Sequence, residues 1–441
     1  MRNWERAVFL LGFAAIVFLI GVELGGQRSA PYPQLRAAKE ALRSLWETMA
    51  PGESPLVLSK HKVGGVTRWE RGAAQEGLTL MAFRGEKRGG AMLVDMNGKE
   101  LHRWSLEFSE AWPDAPHILS RGADDRIFWH GLYLFPNGDL LFNYDGGNFP
   151  PGGGTVLIDK DSKIKWKVAR NTHHDLDVLP DRRIAVLSSS YVQDGIAACS
   201  DFFVGPYVAD ELLILSADGQ VLDAFSLPEA LCNSEWRATI MPRGAYGLAE
   251  KLPVETEDPL HANAVDVLTP ADAAVFPKAK AGDYLISFRH LNMIVLIDVD
   301  TRLVKWTSSG QFVRQHDPDI LQNGNLLVYD NLGGSEEGGR SRILEIDPRT
   351  QAVVWKYEGT TDDPFDAPFL GKQAKLANGN VLIASPREGR IFEVTGDARP
   401  RVVWEYVNLL STTPDGGRVG YVGDPLRFSP EELPFLKEAG S

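Results

Sequence analysis

From about residue 78 to residue 430 the chain repeats one pattern: a short apolar run, a turn of Asn-Gly, Asp-Gly or Pro-Asn type, and a second apolar run. Short apolar runs bounded by such turns read as strands, and the regular alternation with helices that a doubly wound fold needs is absent. The repeat has a fixed shape. An apolar run ends in an acidic or small polar residue, a turn follows, and an aromatic arrives seven to nine positions later: Asp95 to Trp104, Asp159 to Trp166, Ser216 to Phe225, Asp298 to Trp306, Asp347 to Trp355, and Thr395 to Trp404. The six starts lie 48 to 82 residues apart, which suits about four strands per unit with insertions in the earlier units.

A second repeat precedes these hairpins: WHGLYLFPNGDLLF at 129–142, HHDLDVLPDRRIAVL at 173–187, HANAVDVL at 261–268, QHDPDILQNGNLLVYDN at 315–331 and GKQAKLANGNVLIASP at 371–386. Each supplies one strand into a turn and one out of it. Joined to the first repeat, they predict six four-stranded blades, an all-β, six-bladed β-propeller. The first hairpin, 78 to 104, lacks an inner strand, and the C-terminal segment from Gly420 to Phe428 is expected to supply it and close the ring.

Ahead of the repeats, Arg2 and Arg6 lead into an apolar stretch from Ala7 to Val22 that reaches Gly26, about 20 residues and long enough to span a bilayer. The exit, Glu23-Leu-Gly-Gly-Gln27, offers no small-x-small cleavage site, so an uncleaved transmembrane helix is favoured over a cleaved signal peptide. The two arginines favour a cytoplasmic N-terminus, with everything after residue 27 outside the cytoplasm. Leu35, Ala38, Leu42, Leu45 and Met49 then fall at helical spacing. This predicts a juxtamembrane helix that packs on the propeller or, within residues 7–50, meets a membrane-protein partner. The expected organisation is an anchor at 1–27, a helix and linker at 28–74 and the propeller at 75–441.

Composition narrows the function. Lys plus Arg 46 against Asp plus Glu 59 gives a net charge of −13, which repels a phosphate backbone and excludes nucleic acid as a partner. The only two cysteines, Cys199 and Cys232, lack the spacing of a structural zinc site. Their even number and an oxidising compartment predict a disulfide within the long insertion that follows the second histidine copy.

Aligned on the turn, the second repeat places His130, His174, His261 and His316 at one position, facing the central channel if that strand is innermost. The returning strand should bring Tyr144, Arg289 and Asp330 to the same rim, and Asn263 faces the same side as His261. Arg289 sits among apolar and aromatic residues in SFRHLNMIVLID, and a buried guanidinium needs an anionic partner or ligand. A histidine cluster with one arginine reads as a site for an anion with several oxygens. The competing reading is structural, with repeated histidines bonding neighbouring blades. The histidines also suit a transition metal, although single residues from separate blades give no ligand spacing, and no metal or cofactor is predicted.

The stretches HHDLDVLP, HANAVDVL, SFRHLNMI, QHDPDILQNGNLLVYDN and QAKLANGNVLIASP resemble the bacterial arylsulfate sulfotransferases over roughly residues 75 to 430. The resemblance implies a six-bladed periplasmic propeller that passes a sulfuryl group from an aryl sulfate to a phenol or other hydroxyl acceptor, without a nucleotide donor, through a transiently sulfated histidine. It makes His316 the nucleophile and His174, His261 and Arg289 its catalytic partners, and carries over Asn263; with His130, Tyr144 and Asp330, which the repeat register alone puts at the rim, Asn263 is a substrate-binding candidate. Combined with the anchor, it implies a single-pass protein of the bacterial inner membrane with the propeller on the periplasmic side. The alternative is a non-catalytic anchored propeller acting as an assembly or binding subunit. A pyrroloquinoline-quinone dehydrogenase is disfavoured because such enzymes usually have eight blades.

Overall fold

The computed structural model describes residues 57–200, 202–203, 205–240, 258–333, 340–414 and 416–438. The expected anchor and the helix at 33–50 lie outside them. Among the described residues no helix is long and apolar enough to cross a membrane. The architecture is a six-bladed β-propeller. Blades 2 to 5 run in chain order through Ile127–Val168, Asn171–Ser226, Ala262–Ser309 and His316–Tyr357, each a four-stranded antiparallel sheet.

Burial grades outward across each blade. In blade 5 the second strand, Leu326–Asp330, is buried throughout, whereas the outermost, Ala352–Tyr357, exposes its first three residues. The third-to-fourth-strand turns explain the acidic residue that opens four of the six hairpins. Asp95 Oδ1 accepts the backbone N–H groups of Asn97 and Lys99, both at 2.9 Å, and Asp159 repeats this with Asp161 and Lys163. The aromatic that follows is a fastener between blades. Trp104 Nε1 donates to Gly138 O in the next blade at 3.0 Å, Trp166 to Ala217 O at 3.1 Å, and Trp355 to Asp397 O at 2.8 Å. Trp404 of blade 6 reaches Met96 O of blade 1 at 3.1 Å and completes the circuit.

Blade 1 is built from both ends of the propeller. Val422–Phe428 forms its inner strand and pairs with Leu78–Arg84 in the register Val422↔Phe83 to Phe428↔Leu78. Blade 6 gains a fifth, outer strand, Gly65–Trp69, paired with Val402–Val407, and so begins ahead of the boundary placed at residue 75. Val57–Ser59 joins Gly416–Val419 and Leu409–Thr413 in a small separate sheet.

Each inner strand turns one edge to the axis, where no neighbouring strand can take its N–H groups. Aspartates from the preceding blade take them instead. Asp424 accepts from Gly131 N (2.8 Å), Asp175 from Val265 N (3.1 Å), Asp177 from Val267 N (2.8 Å) and Asp317 from Gln373 N (2.9 Å).

Cys199 and Cys232 form a disulfide with α-carbons 5.8 Å apart, both sulfurs buried with Phe203, Leu227 and Leu231. Replacing both by serine should lower stability by roughly 3–4 kcal/mol on the chain-entropy estimate, read as a fall in the midpoint of chemical unfolding that adding a reductant to the native protein reproduces.

Candidate functional site

The site is set by counting along two strands per blade. Four residues before the last paired residue of the inner strand stand His130, His174, Asn263 and His316 in blades 2 to 5. The repeat position in blade 4 is therefore Asn263, and His261 lies two residues earlier. On the returning strand, the residue five beyond the first paired one is Asp145 in blade 2, Arg289 in blade 4 and Asn331 in blade 5. Inner strands distort here. A bulge interrupts the pairing in blades 2 to 5, and His174, His261 and Asp317 all have φ near +50°. Non-glycine residues in this region carry strain that tends to sit at functional sites.

These residues converge at one rim. The ring of His174 lies 5.6 Å from that of His130 and 5.0 Å from that of His261. His316 is buried and its protonation is held well below the usual histidine range, first by burial and then by the Arg289 guanidinium. Its tautomer is fixed by Asn331. The Asn331 amide donates to Ala367 O and Leu370 O, both at 2.7 Å, which turns Oδ1 toward His316 Nδ1 at 2.6 Å. An oxygen acceptor there requires a proton on Nδ1, so the lone pair of the neutral ring lies on Nε2.

His174 is fixed differently. Burial pushes its protonation well below the usual range, followed by the charges of His261, His173, His130 and His316. Burial also works against protonation of His173, but the hydrogen bond and charge of Asp210 outweigh it and raise that group. With His173 the more readily protonated of the two rings, its Nδ1–H donates to His174 Nδ1 at 2.9 Å, leaving His174 to present Nε2–H as a donor. Asp145 Oδ2 accepts the His174 backbone N–H at 2.9 Å.

His261 Nδ1 donates to Asp258 Oδ2 at 2.5 Å. Burial would raise the Asp258 carboxyl, but the charge and hydrogen bond of His261 prevail and lower it. Beside them, His290 Nδ1 donates to Asp258 O at 2.6 Å, so its Nε2 accepts from Arg289 Nη1 at 2.8 Å. Among the described residues, Asp258, His261 and His290 are grouped closely enough to ligate a metal. Their chemistry does not fit one well: His290 Nε2 is engaged by a guanidinium, which repels a divalent cation. We assign no metal there. Asn263 Nδ2 donates to Gln315 O at 2.8 Å, and its buried Oδ1 has no hydrogen-bond partner among the described residues.

Two expected residues are not at the rim. Tyr144 points into the core between blades 1 and 2, donating to Leu106 O at 2.7 Å among Phe108, Trp112 and Trp129. Asp330 is buried against Arg342, with Nε at 2.8 Å, and also accepts from Val313 N. Both are off by a single residue, which on a strand reverses the face. Their successors, Asp145 and Asn331, make the contacts with His174 and His316. Counting from the first pair of each hairpin would have found them. Asp258 carried no repeat signal. Farther along the axis Lys372 bridges Asp175 Oδ1 at 2.7 Å and Asp317 Oδ1 at 3.0 Å.

Residues 131–408 match the family model described as arylsulfotransferase (ASST). The chain belongs to the arylsulfotransferase family. His174, His261, Asn263, Arg289, His316 and Asn331 all lie inside the matched segment, and His130 falls just ahead of it. No curated protein matches the chain. Among solved structures it is similar to a protein of unknown function from Bacteroides caccae, with 12% identity, 80% of this chain and 100% of that chain covered, and a TM-score of 0.46. A streptogramin B lyase matches at 12% identity over 84% and 97% of the two chains, TM-score 0.40. A virginiamycin B lyase from Staphylococcus aureus matches at 11% identity over 80% and 87%, TM-score 0.40. Sulfuryl transfer is thus the family chemistry against which the rim is read.

The one-residue correction can be checked directly. Tyr144→Phe should cost about 1 kcal/mol of stability through its lost hydrogen bond and leave transfer from 4-nitrophenyl sulfate at the wild-type level. Asn331→Ala should lower that transfer about tenfold or more by freeing the His316 tautomer.

Proposed function

We propose that the protein moves a sulfuryl group from an aryl sulfate to a phenolic or other hydroxyl acceptor, without a nucleotide, through a covalent intermediate on His316 Nε2. The observation that carries this reading is the Asn331 amide, locked by two carbonyls and holding the Nδ1 proton of His316. A neutral imidazole with its lone pair on Nε2 is the form that attacks sulfur.

In the first half-reaction Nε2 forms the N–S bond as the S–O bond to the aryl group breaks. His261, in its protonated form, passes a proton to the departing aryl oxygen, while Asp258 holds the ring from the other side. The sulfated ring keeps its Nδ1 proton and carries a positive charge, which Asn331 Oδ1 supports. Arg289 and the Nε2–H of His174 face the charge that gathers on the three sulfuryl oxygens, as a loose transition state requires. In the second half-reaction the acceptor hydroxyl gives its proton to His261, its oxygen attacks sulfur, and the N–S bond breaks to return the lone pair to Nε2. The net charge of −13 leaves this rim as a local exception on an acidic molecule.

The same reading places the propeller outside the cytoplasm, tethered by residues 7–26, and the buried disulfide suits an oxidising compartment.

His316→Ala should abolish transfer from 4-nitrophenyl sulfate to a phenol, and wild-type protein incubated with donor alone should gain a sulfuryl adduct by intact mass. An unmodified wild type that still transfers would end the covalent mechanism. Ping-pong kinetics should accompany it. Arg289→Ala should slow transfer by roughly 2.7–4 kcal/mol of barrier, as for one preorganised oxyanion donor.

The pH profile gives a separate check. Because the folded protein keeps His316 neutral well below the ordinary histidine range, the acid limb of the nitrophenolate burst should fall below pH ~6.5. Arg289 disfavours the imidazolium, so removing it raises the pKa, and Arg289→Ala should move that limb to higher pH.

A further inference from the structure

Beside the histidine rim a cleft of about 220 Å³ opens where blades 1, 2 and 6 meet. Its walls are aromatic and its mouth is basic. Phe128 and Tyr421 stand with ring centroids 4.7 Å apart, and Phe369, 41% exposed, forms part of the lining. Two of its lining residues connect the cleft to the rim. Phe128 lies 6.2 Å from the His130 ring, and the cleft residue Leu370 supplies one of the two carbonyls that lock Asn331 against His316. The space suits one substituted aromatic ring.

Two guanidinium groups line this cleft without an ion pair among the described residues: Arg126, and Arg387, which lies 4.9 Å over the Phe369 ring. The third lining arginine, Arg84, is neutralised by Glu107 at 3.0 Å. One carboxylate, the exposed Asp125, shares the lining and leaves the two arginines in excess. Charge of this sign is unneeded for a neutral phenol, and sulfur itself is served by Arg289 on the opposite side of the rim.

We propose that this cleft selects phenolic acceptors whose ring carries a second anionic group, a carboxylate or its equivalent, held by Arg126 and Arg387 while the aromatic walls hold the ring. The inference rests on the sulfuryl-transfer reading of the rim, and its test separates the two.

Binding of 4-hydroxybenzoate and of the neutral, similarly shaped 4-hydroxybenzamide is measured by calorimetry on wild type, R126Q/R387Q and R126K/R387K. Transfer from 4-nitrophenyl sulfate to each phenol is followed alongside. Wild type should favour the carboxylate about tenfold in both affinity and kcat/KM. The glutamine pair should erase most of that ratio, and the lysine pair should keep much of it. A wild type that binds both phenols equally, or a glutamine pair that keeps the preference, overturns the cleft assignment even if transfer proceeds. Charge-dependent binding without transfer to either phenol supports the cleft and refutes the transfer reading.

Discussion

A closed ring of sheets leaves six strand edges facing its axis, and the N–H groups there have no strand to pair with. Everything at the centre of this protein follows from how those edges are satisfied. An unpaired buried amide costs about 1–3 kcal/mol, and here aspartates reach across to the next blade to accept it, as Asp175 does for Val265 and Asp317 for Gln373. The aspartates then need compensation of their own, which Lys372 supplies to two of them. Asp266 and Asp319, crowded in the same channel, are pushed well above the usual carboxyl range first by burial and then by a neighbouring aspartate, Asp319 in the case of Asp266 and Asp317 in the case of Asp319, and burial pushes Asp177 to about 6.

This division gives the axis two chemical ends. In blades 3 and 5 the repeat position is a histidine, His174 or His316, and in blade 4 it is Asn263, with Arg289 beside it; three positions farther along stand the acids Asp177, Asp319 and Asp266. The aspartates are in the first place a scaffold requirement.

Much of this was legible in the chain. Period and turn chemistry carried the blade count, because each hairpin pairs a turn opened by an acidic or hydroxyl residue with an aromatic on the outer strand, and the missing inner strand of blade 1 pointed to the C-terminus. The histidines were legible through their repeat register. What failed was parity. Tyr144 and Asp330 were chosen by reasoning that a returning strand ends near the rim, which is true of the strand but leaves open which face each residue takes. His261 was a different miss: the long insertion before Tyr284 left the third copy no tight turn to count from, and the histidine stands two residues ahead of the repeat position, Asn263, with no change of face. Asp258 lies only three residues before His261, but in a loop outside either repeat, so no register marked it. The strand at Gly65–Trp69 was also hidden, lying ahead of the first complete repeat.

The closing strand has a kinetic meaning as well as a structural one. Leu78–Arg84 waits for a partner more than three hundred residues later in the chain, so the seam is among the most non-local pairings of the described strands and bears a large loop-closure entropy. Until Val422–Phe428 arrives, His130 lacks Asp424 beside it and Gly131 lacks its acceptor. The rim is therefore completed by the most C-terminal of the described strands. A nascent or truncated chain carries its histidines without their final arrangement, and sub-global opening of the mature ring should begin where the two ends meet.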